Sequence, residues 1–325
     1  MKIEDLYYSL SALPVDEKNF DLVKWEKENP IDYFKFLFIL FQSDQIDKTI
    51  PEALARQVAF NVIYKTSRLY IPNTLYKFYS LTEDKDLNEK KLETLQNKKI
   101  YMSDIEDFND PFDSKAFYYD PARLKKIKRL ASHGGRLIDD FTAILKTTSL
   151  TENDVNSLPM WAHYSNNHHG FCIAYDMKNP YNTAFSACTF KVQYTDQRLD
   201  ISSFMEKYVG MTADLIEKQQ AQGKKQILIS DLSIAYFPEL LSNVKHESWQ
   251  YEKEYRCTMG AKSEGMPYVD AMPKEIYIGM KCLPQYAFKL NKIAKKLHIP
   301  VYQMKFDELS EEYKLNARKG RQCFL

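Results

Sequence analysis

The spacing of apolar residues changes period once along this chain. Ile31, Phe34, Leu37, Phe38 and Phe41 recur at helical spacing behind Asn29 and Pro30, a cap and a first-turn proline. Leu54, Val58 and Val62 repeat the pattern after Pro51, so residues 1–72 read as a helical appendage. Pro72 and Asn73 mark a boundary, and the character then changes. Residues 75–79 read as a strand, 86–97 as a helix and 99–103 as a strand, followed by a polar loop over 104–113. A basic helix over 121–132 should end at Gly134, and residues 141–151 read as a strand rich in Thr and Ser. Residues 171–175 form a buried-type strand, and polar helices are expected over 202–222 and 224–243. Residues 275–279, 285–297 and 301–304 have the strand, helix, strand rhythm of a parallel crossover. Lys289, Lys292, Lys295 and Lys296 should face solvent there, opposite Ala287, Leu290, Ala294 and Leu297. The pattern predicts an α+β domain over 73–325, built on one mixed or antiparallel sheet system.

One stretch departs from surface logic. From Lys245 to Arg256, aromatic and charged side chains alternate. As a strand it puts Glu252, Glu254 and Arg256 on one face and Tyr251, Lys253 and Tyr255 on the other. Same-face Cα atoms are then roughly 6.5 Å apart, close enough for like-charge repulsion to raise one carboxyl pKa. That is a way to build an acid/base pair. The alternative is a short exposed helix in which Glu252 and Arg256 make an i,i+4 pair.

Composition narrows the function classes. With 45 basic and 44 acidic residues the formal charge is +1, so a nucleic-acid or membrane partner would have to be met by a local patch. Five cysteines are scattered without a C-x-x-C pair, which suits a reducing compartment. The longest apolar run, Phe36 to Phe41, is far too short for a membrane span, and the first residues lack a signal-peptide pattern; a cytoplasmic protein is expected. Gly134 and Gly135 are not followed by the Lys-Ser/Thr of a phosphate loop.

Three more clusters hold candidate chemistry, all in stretches read as loops or strand ends. Phe108, Asn109, Asp110, Pro111, Phe112 and Asp113 read as a structural Asx-Pro turn or as a substrate-contacting loop. Trp161 and His163 lie near His168 and His169, but no cysteine completes a zinc set, so a substrate-facing Trp161 and His163 are expected instead of a metal. Thr147, Thr148, Ser149 and Thr151 present hydroxyls along a strand that could brace a carboxylate.

The ordered segments Leu75 to Leu81, Ile100 to Ser103, Phe108 to Asp113, Ser149 to Glu152, Met160 to Tyr164, His169 to Ile173 and Trp249 to Arg256 together resemble a bacterial domain-of-unknown-function family, number 2971. More weakly, Glu252-Lys253-Glu254 is similar to the Glu-x-Glu motif of the ADP-ribosyltransferase superfamily, with Lys77 and the Thr147 to Ser149 strand in the order that superfamily uses. That resemblance implies a transferase-like sheet core and cleavage of NAD, as co-substrate, with transfer of ADP-ribose to a protein or nucleic-acid acceptor. It makes Glu254 the stabiliser of the positive ribose centre, Glu252 the acceptor's partner and Ser149 a brace. Lys77, Tyr79, Tyr101, Asn109, Trp161, His163 and Arg256 become cofactor-binding candidates, with Trp249 and Tyr251 for substrate recognition. Where such proteins often carry Tyr-Lys-Tyr-Arg, this chain has Tyr76, Lys77, Phe78 and Tyr79, so a phosphate-gripping arginine is replaced at best by Lys77. Association with such enzymes suggests a toxin or phage-defence effector, with an antitoxin or effector partner docking on the N-terminal helices. The rival readings are a metal-dependent nuclease using Asp110 or Asp113 with Glu252, Glu254 and Lys253, although a strand would point Lys253 away from the carboxylates, and a non-catalytic ligand- or protein-binding domain.

The boundary yields a test. Limited proteolysis should cut near Tyr70 to Thr74 and leave a folded fragment 73–325; a fragment without a cooperative unfolding transition would show that the two regions depend on each other.

Overall fold

The computed structural model of the protein describes residues 71–108, 110–113, 115–136, 145–224, 242–260 and 267–319. The proposed helices before Pro72 lie outside these, as do Asn109 and nearly all of the helix expected over 224–243. In chain order the elements are β1 (Thr74–Tyr79), α1 (Lys85–Gln96), β2 (Lys99–Tyr101), β3 (Ser103–Asp104), β4 (Phe117–Tyr118), α2 (Pro121–Leu124), α3 (Lys128–Ala131), β5 (Leu145–Thr151), α4 (Leu158–Tyr164) and β6 (Phe171–Asp176). They continue with α5 (Thr183–Ala187), β7 (Thr189–Lys191), β8 (Gln193–Thr195), β9 (Leu199–Asp200), α6 (Ser202–Ala221), β10 (Val244–His246), β11 (Glu254–Gly260), β12 (Tyr268–Asp270), β13 (Pro273–Ile278), α7 (Pro284–Leu297), β14 (Val301–Phe306) and β15 (Leu315–Lys319).

One sheet organises the described chain, in the order β15-β14-β13-β6-β1-β5-β11-β7, with β3 also paired to β5. Its pairs are antiparallel except β13 with β14, which α7 joins as the expected parallel crossover. The α+β class therefore holds. Strand alternation separates two faces. On one, Leu75, Leu150, Ile173, Tyr175, Tyr255, Cys257 and Ile276 pack against Leu92 and Leu95 of α1 and Leu290 and Ile293 of α7. On the other, Phe78, Cys172, Ala174 and Tyr277 pack against Met160 and Trp161 of α4.

The sheet forks at its centre. β1 pairs with β6 along its whole length, from Thr74 opposite Asp176 to Tyr79 opposite Phe171. Toward β5, however, β1 shares a single register pair, Tyr76 with Thr151. Further along, β5 is met by β3, with Ser103 opposite Thr147 and Asp104 opposite Lys146. Between the two partners the carbonyl of Ser149 receives a hydrogen bond from Lys77 Nζ at 3.1 Å. That ammonium satisfies a backbone acceptor that a ladder would otherwise have used.

Several expectations need correction. The basic segment 121–132 is two short helices, because the backbone of Ile127 is extended (φ −77°, ψ 115°). The second of them ends at Ala131 with Ser132 as its cap, before the expected Gly134, which lies in the following turn with φ +65°. The strand over 99–103 breaks at Met102, whose amide bonds Pro267 and lets β2 and β3 serve different partners. Met160 to Tyr164 is helical, not a loop, since α4 must cover the Phe78 and Cys172 face. Residues 245–256 are not one strand: β10 leads into a 3-10 turn over Glu247–Glu252, and Lys253 turns the chain in the left-handed region (φ 46°) before β11 begins.

Gly170 sits where β1 and β6 converge, and a Cβ there would lie 1.8 Å from the carbonyl oxygen of Tyr79. Gly170→Ala is expected to destabilise the fold by about 2 kcal/mol, because backbone must move to admit the methyl. Urea unfolding measures it, and an unchanged midpoint would mean the strand ends are not in contact.

Candidate functional site

A cavity of about 650 Å³ opens at the fork in the sheet. Because the strands part there, it draws side chains from both faces. Leu87, Lys90, Lys91 and Thr94 of α1 line one part, with Lys77 and Tyr79 of β1; Met160, Tyr164, Lys245, Glu252 and Glu254 line another. Tyr101, Phe108 and Tyr268 also border it, and Tyr101 and Tyr268 meet edge to face at 5.6 Å.

The carboxylate end is built around two buried cations. Lys245 Nζ lies 2.8 Å from Glu252 Oε2, 3.2 Å from Glu254 Oε2 and 3.7 Å from Asp113 Oδ2. Arg256, fully buried, donates from Nε to Glu254 Oε1 at 2.7 Å, from Nη2 to Asp113 Oδ1 at 2.6 Å and from Nη1 to the carbonyl of Ser242 at 2.6 Å. The Phe108 ring lies under its guanidinium, 5.1 Å away. Three carboxylates face two cations, so the fully ionised cluster keeps one negative charge. The left-handed turn at Lys253 makes this possible. It leaves Lys253 exposed while Glu252 and Glu254 both point inward, at 3% exposure each. The pairing of the two glutamates expected from a continuous strand thus comes from a turn.

Their surroundings divide the two glutamates. Burial alone would raise the proton affinity of Glu254, but Arg256, Lys245 and hydrogen bonds from Arg256 and Ser149 outweigh it and hold the pKa at about 2. Glu252 is shifted up, by burial first and by Glu254 as well, against the pull of Lys245. The hydroxyl of Tyr164 donates to Glu252 Oε1. Asp113 is also shifted up, mainly by burial. Burial lowers Lys77 to about 8, with Lys91 pushing the same way and Glu254 opposing.

The sequence candidates scatter accordingly. Lys77, Tyr79, Tyr101, Ser149, Glu252 and Glu254 all line the cavity. Trp161 does not: it is fully buried, donates its indole N–H to Val155 and stacks on His168 in the second core. His163 is exposed, 6.3 Å from the Tyr251 ring, so neither residue takes the substrate-facing place expected of the pair. Arg256 does not line the cavity: it makes four hydrogen bonds to Glu254, Asp113 and the Ser242 carbonyl and positions the carboxylates instead of touching a ligand. Trp249 lies under the Lys245 ammonium at 4.8 Å, and Tyr251 is exposed beside it; neither borders the cavity. Tyr164 and Lys245 were missed. Tyr164 follows Met160 by one helical turn, a spacing that places both on one face of α4. No periodicity marks Lys245, which reaches the site from a separate short strand.

Proton linkage separates the glutamates experimentally. Glu254, depressed in the folded state, adds stability above the ordinary carboxylate range and loses it as pH falls through about 2. Glu254→Gln is therefore expected to cost about 3 kcal/mol near neutral pH, since it leaves Arg256 and Lys245 underpaired, and the deficit should shrink toward acid. Glu252, raised in the folded state, is disfavoured when ionised, so Glu252→Gln should cost much less. Equal losses at every pH would contradict this division.

Residues 160–257 match the family model described as Protein of unknown function (DUF2971). No curated protein and no solved structure matches the chain. The matched stretch runs from the start of the Tyr164 face of α4 to Cys257, and so takes in Lys245, Glu252, Glu254 and Arg256, while β1 with Lys77 lies before it.

Proposed function

We propose that the protein cleaves the N-glycosidic bond of NAD and transfers ADP-ribose to a macromolecular acceptor. The observation that carries this reading is the pair of carboxylates with opposed proton affinities, Glu254 and Glu252, at the end of a cavity whose other lining includes lysines and tyrosines. Environments that push two carboxyl pKa values apart are a means of assigning separate roles to chemically identical groups. The volume lies within the range of roughly 300–1,000 Å³ that ligand pockets occupy.

Glu254 stays ionised and is held from below by Arg256, so it can stabilise positive charge developing on the ribose without reorganising. Ser149, opposite Arg256 on the neighbouring strand, helps keep this carboxylate ionised. Glu252, with its raised proton affinity and its hydrogen bond from Tyr164, is suited to take the acceptor's proton. Of the two tyrosines among the cofactor-binding candidates, Tyr79 already stacks on Phe171 at 4.8 Å, whereas Tyr101 is exposed beside Tyr268 and has ring surface for stacking on nicotinamide. The nuclease alternative is less well supported. Lys245 Nζ occupies the point where Asp113, Glu252 and Glu254 converge, which is where a bridging cation would sit.

Incubation with adenylate-labelled NAD and cell lysate tests the proposal. Wild type should release nicotinamide and label an acceptor. Glu254→Gln should lose about a hundredfold in NAD consumption, beyond any loss of folded protein read from its melting curve. Glu252→Gln should still hydrolyse NAD slowly but transfer poorly. No NAD consumption by wild type, or full activity in folded Glu254→Gln, would end this reading and favour a binding domain.

A further inference from the structure

The cavity is lined by carboxylates where β11 borders it and by the lysines of β1 and α1 where the helix does. Leu87, Lys90, Lys91 and Thr94 follow one another at i, i+3, i+4 and i+7, so one face of α1 looks into the cavity while Asn88, Leu92 and Leu95 face the core. Among the described residues the Lys90 ammonium has no hydrogen bond or ion pair. Lys91 Nζ donates to the carbonyl of Ser80 at 2.7 Å and to its hydroxyl at 3.3 Å, and Lys77 Nζ donates to Ser149 at 3.1 Å. An ammonium carries three donors, so both keep N–H groups to offer. Lys77 and Lys91 also repel each other, as expected where an anion is wanted between cations. Opposing charges are Glu254 across the fork, Asp84 near Lys91, Asp107 at the exposed cavity border, and Asp86 and Glu93, each one turn from Lys90 on α1.

We propose that Lys77, Lys90 and Lys91 form an anion subsite that receives the diphosphate of a nucleotide. The ligand then lies across the fork, with its phosphates on the α1 side and its glycosidic end at Glu252 and Glu254. The identity of the ligand rests on the transferase reading; the anion subsite does not. It replaces the arginine missing after Phe78 with a helical face of point charges, which bind phosphate without requiring a planar fork geometry.

Calorimetric titration with ADP-ribose, inorganic pyrophosphate and adenosine tests it at low and high salt. Wild type should bind ADP-ribose and pyrophosphate, with affinity falling as salt rises, and adenosine far more weakly. Lys90→Gln, an exposed change, should weaken both phosphate ligands several-fold, and Lys90→Gln with Lys91→Gln by about tenfold or more at matched melting temperature. Lys292→Gln, on the solvent side of α7, sets the baseline. Pyrophosphate and ADP-ribose affinities that survive both lysine changes, or adenosine binding as tight as ADP-ribose, would overturn the subsite. NAD consumption measured on the same samples separates the two ideas: lysine-dependent diphosphate binding without NAD cleavage keeps the subsite and removes the transferase, whereas NAD cleavage with lysine-independent binding does the reverse.

Discussion

Arg256 is the interaction on which the site depends. A guanidinium with no exposed surface must find partners for its donors, since an unpaired buried charge costs several kcal/mol. Its partners come from four places in the chain: Glu254 on its own strand, Asp113 after β3, the carbonyl of Ser242 before β10, and the Phe108 ring. Satisfying Arg256 therefore draws the 108–113 segment and the approach to β10 onto one face of β11. Lys245 completes the arrangement, because a third carboxylate, Glu252, is tolerable at this depth only beside a second cation. The two glutamates are held in place by these charges more than by the regularity of any strand.

The fork in the sheet is the second constraint. β5 is long enough to serve two partners, and β1 and β3 claim different parts of it. A continuous β1–β5 ladder would place the two faces out of reach of each other. With the ladder broken, Lys77 from the α1 face and Glu254 from the α4 face come to border one cavity. The cost of the broken pairing is reduced by Lys77, whose ammonium covers the Ser149 carbonyl. The missing side chain at Gly170 lets the far end of β1 lie close against the start of β6, where a Cβ would meet the carbonyl of Tyr79.

How such a site was legible varies residue by residue. Glu252 and Glu254 stood out because aromatic side chains alternated with charge around them, and that alternation survives in β11, where Glu254 and Arg256 share a face. Ser149 could be read as a brace because its strand presents hydroxyls and the transferase resemblance places such a strand beside the glutamates; in the structure it lies opposite Arg256. Trp161 misled because an aromatic beside histidines suits a pocket and a core equally; which one it joins depends on the rotation of α4, and the Phe78 ring at 5.1 Å took it.

The periods of β1, α1, β6 and α6, and the parallel crossover of β13, α7 and β14, are properties of local sequence, since an apolar stripe must be buried by whatever packs on it. The identity of the acidic pair is likewise written locally. What only the tertiary structure decided is which distant groups meet that pair. Lys245, Asp113, Tyr164 and Lys77 come from four separate elements, and no periodicity links them. Charges buried together select one another through desolvation and Coulomb energy over a few ångströms of space, and sequence separation does not enter that energy.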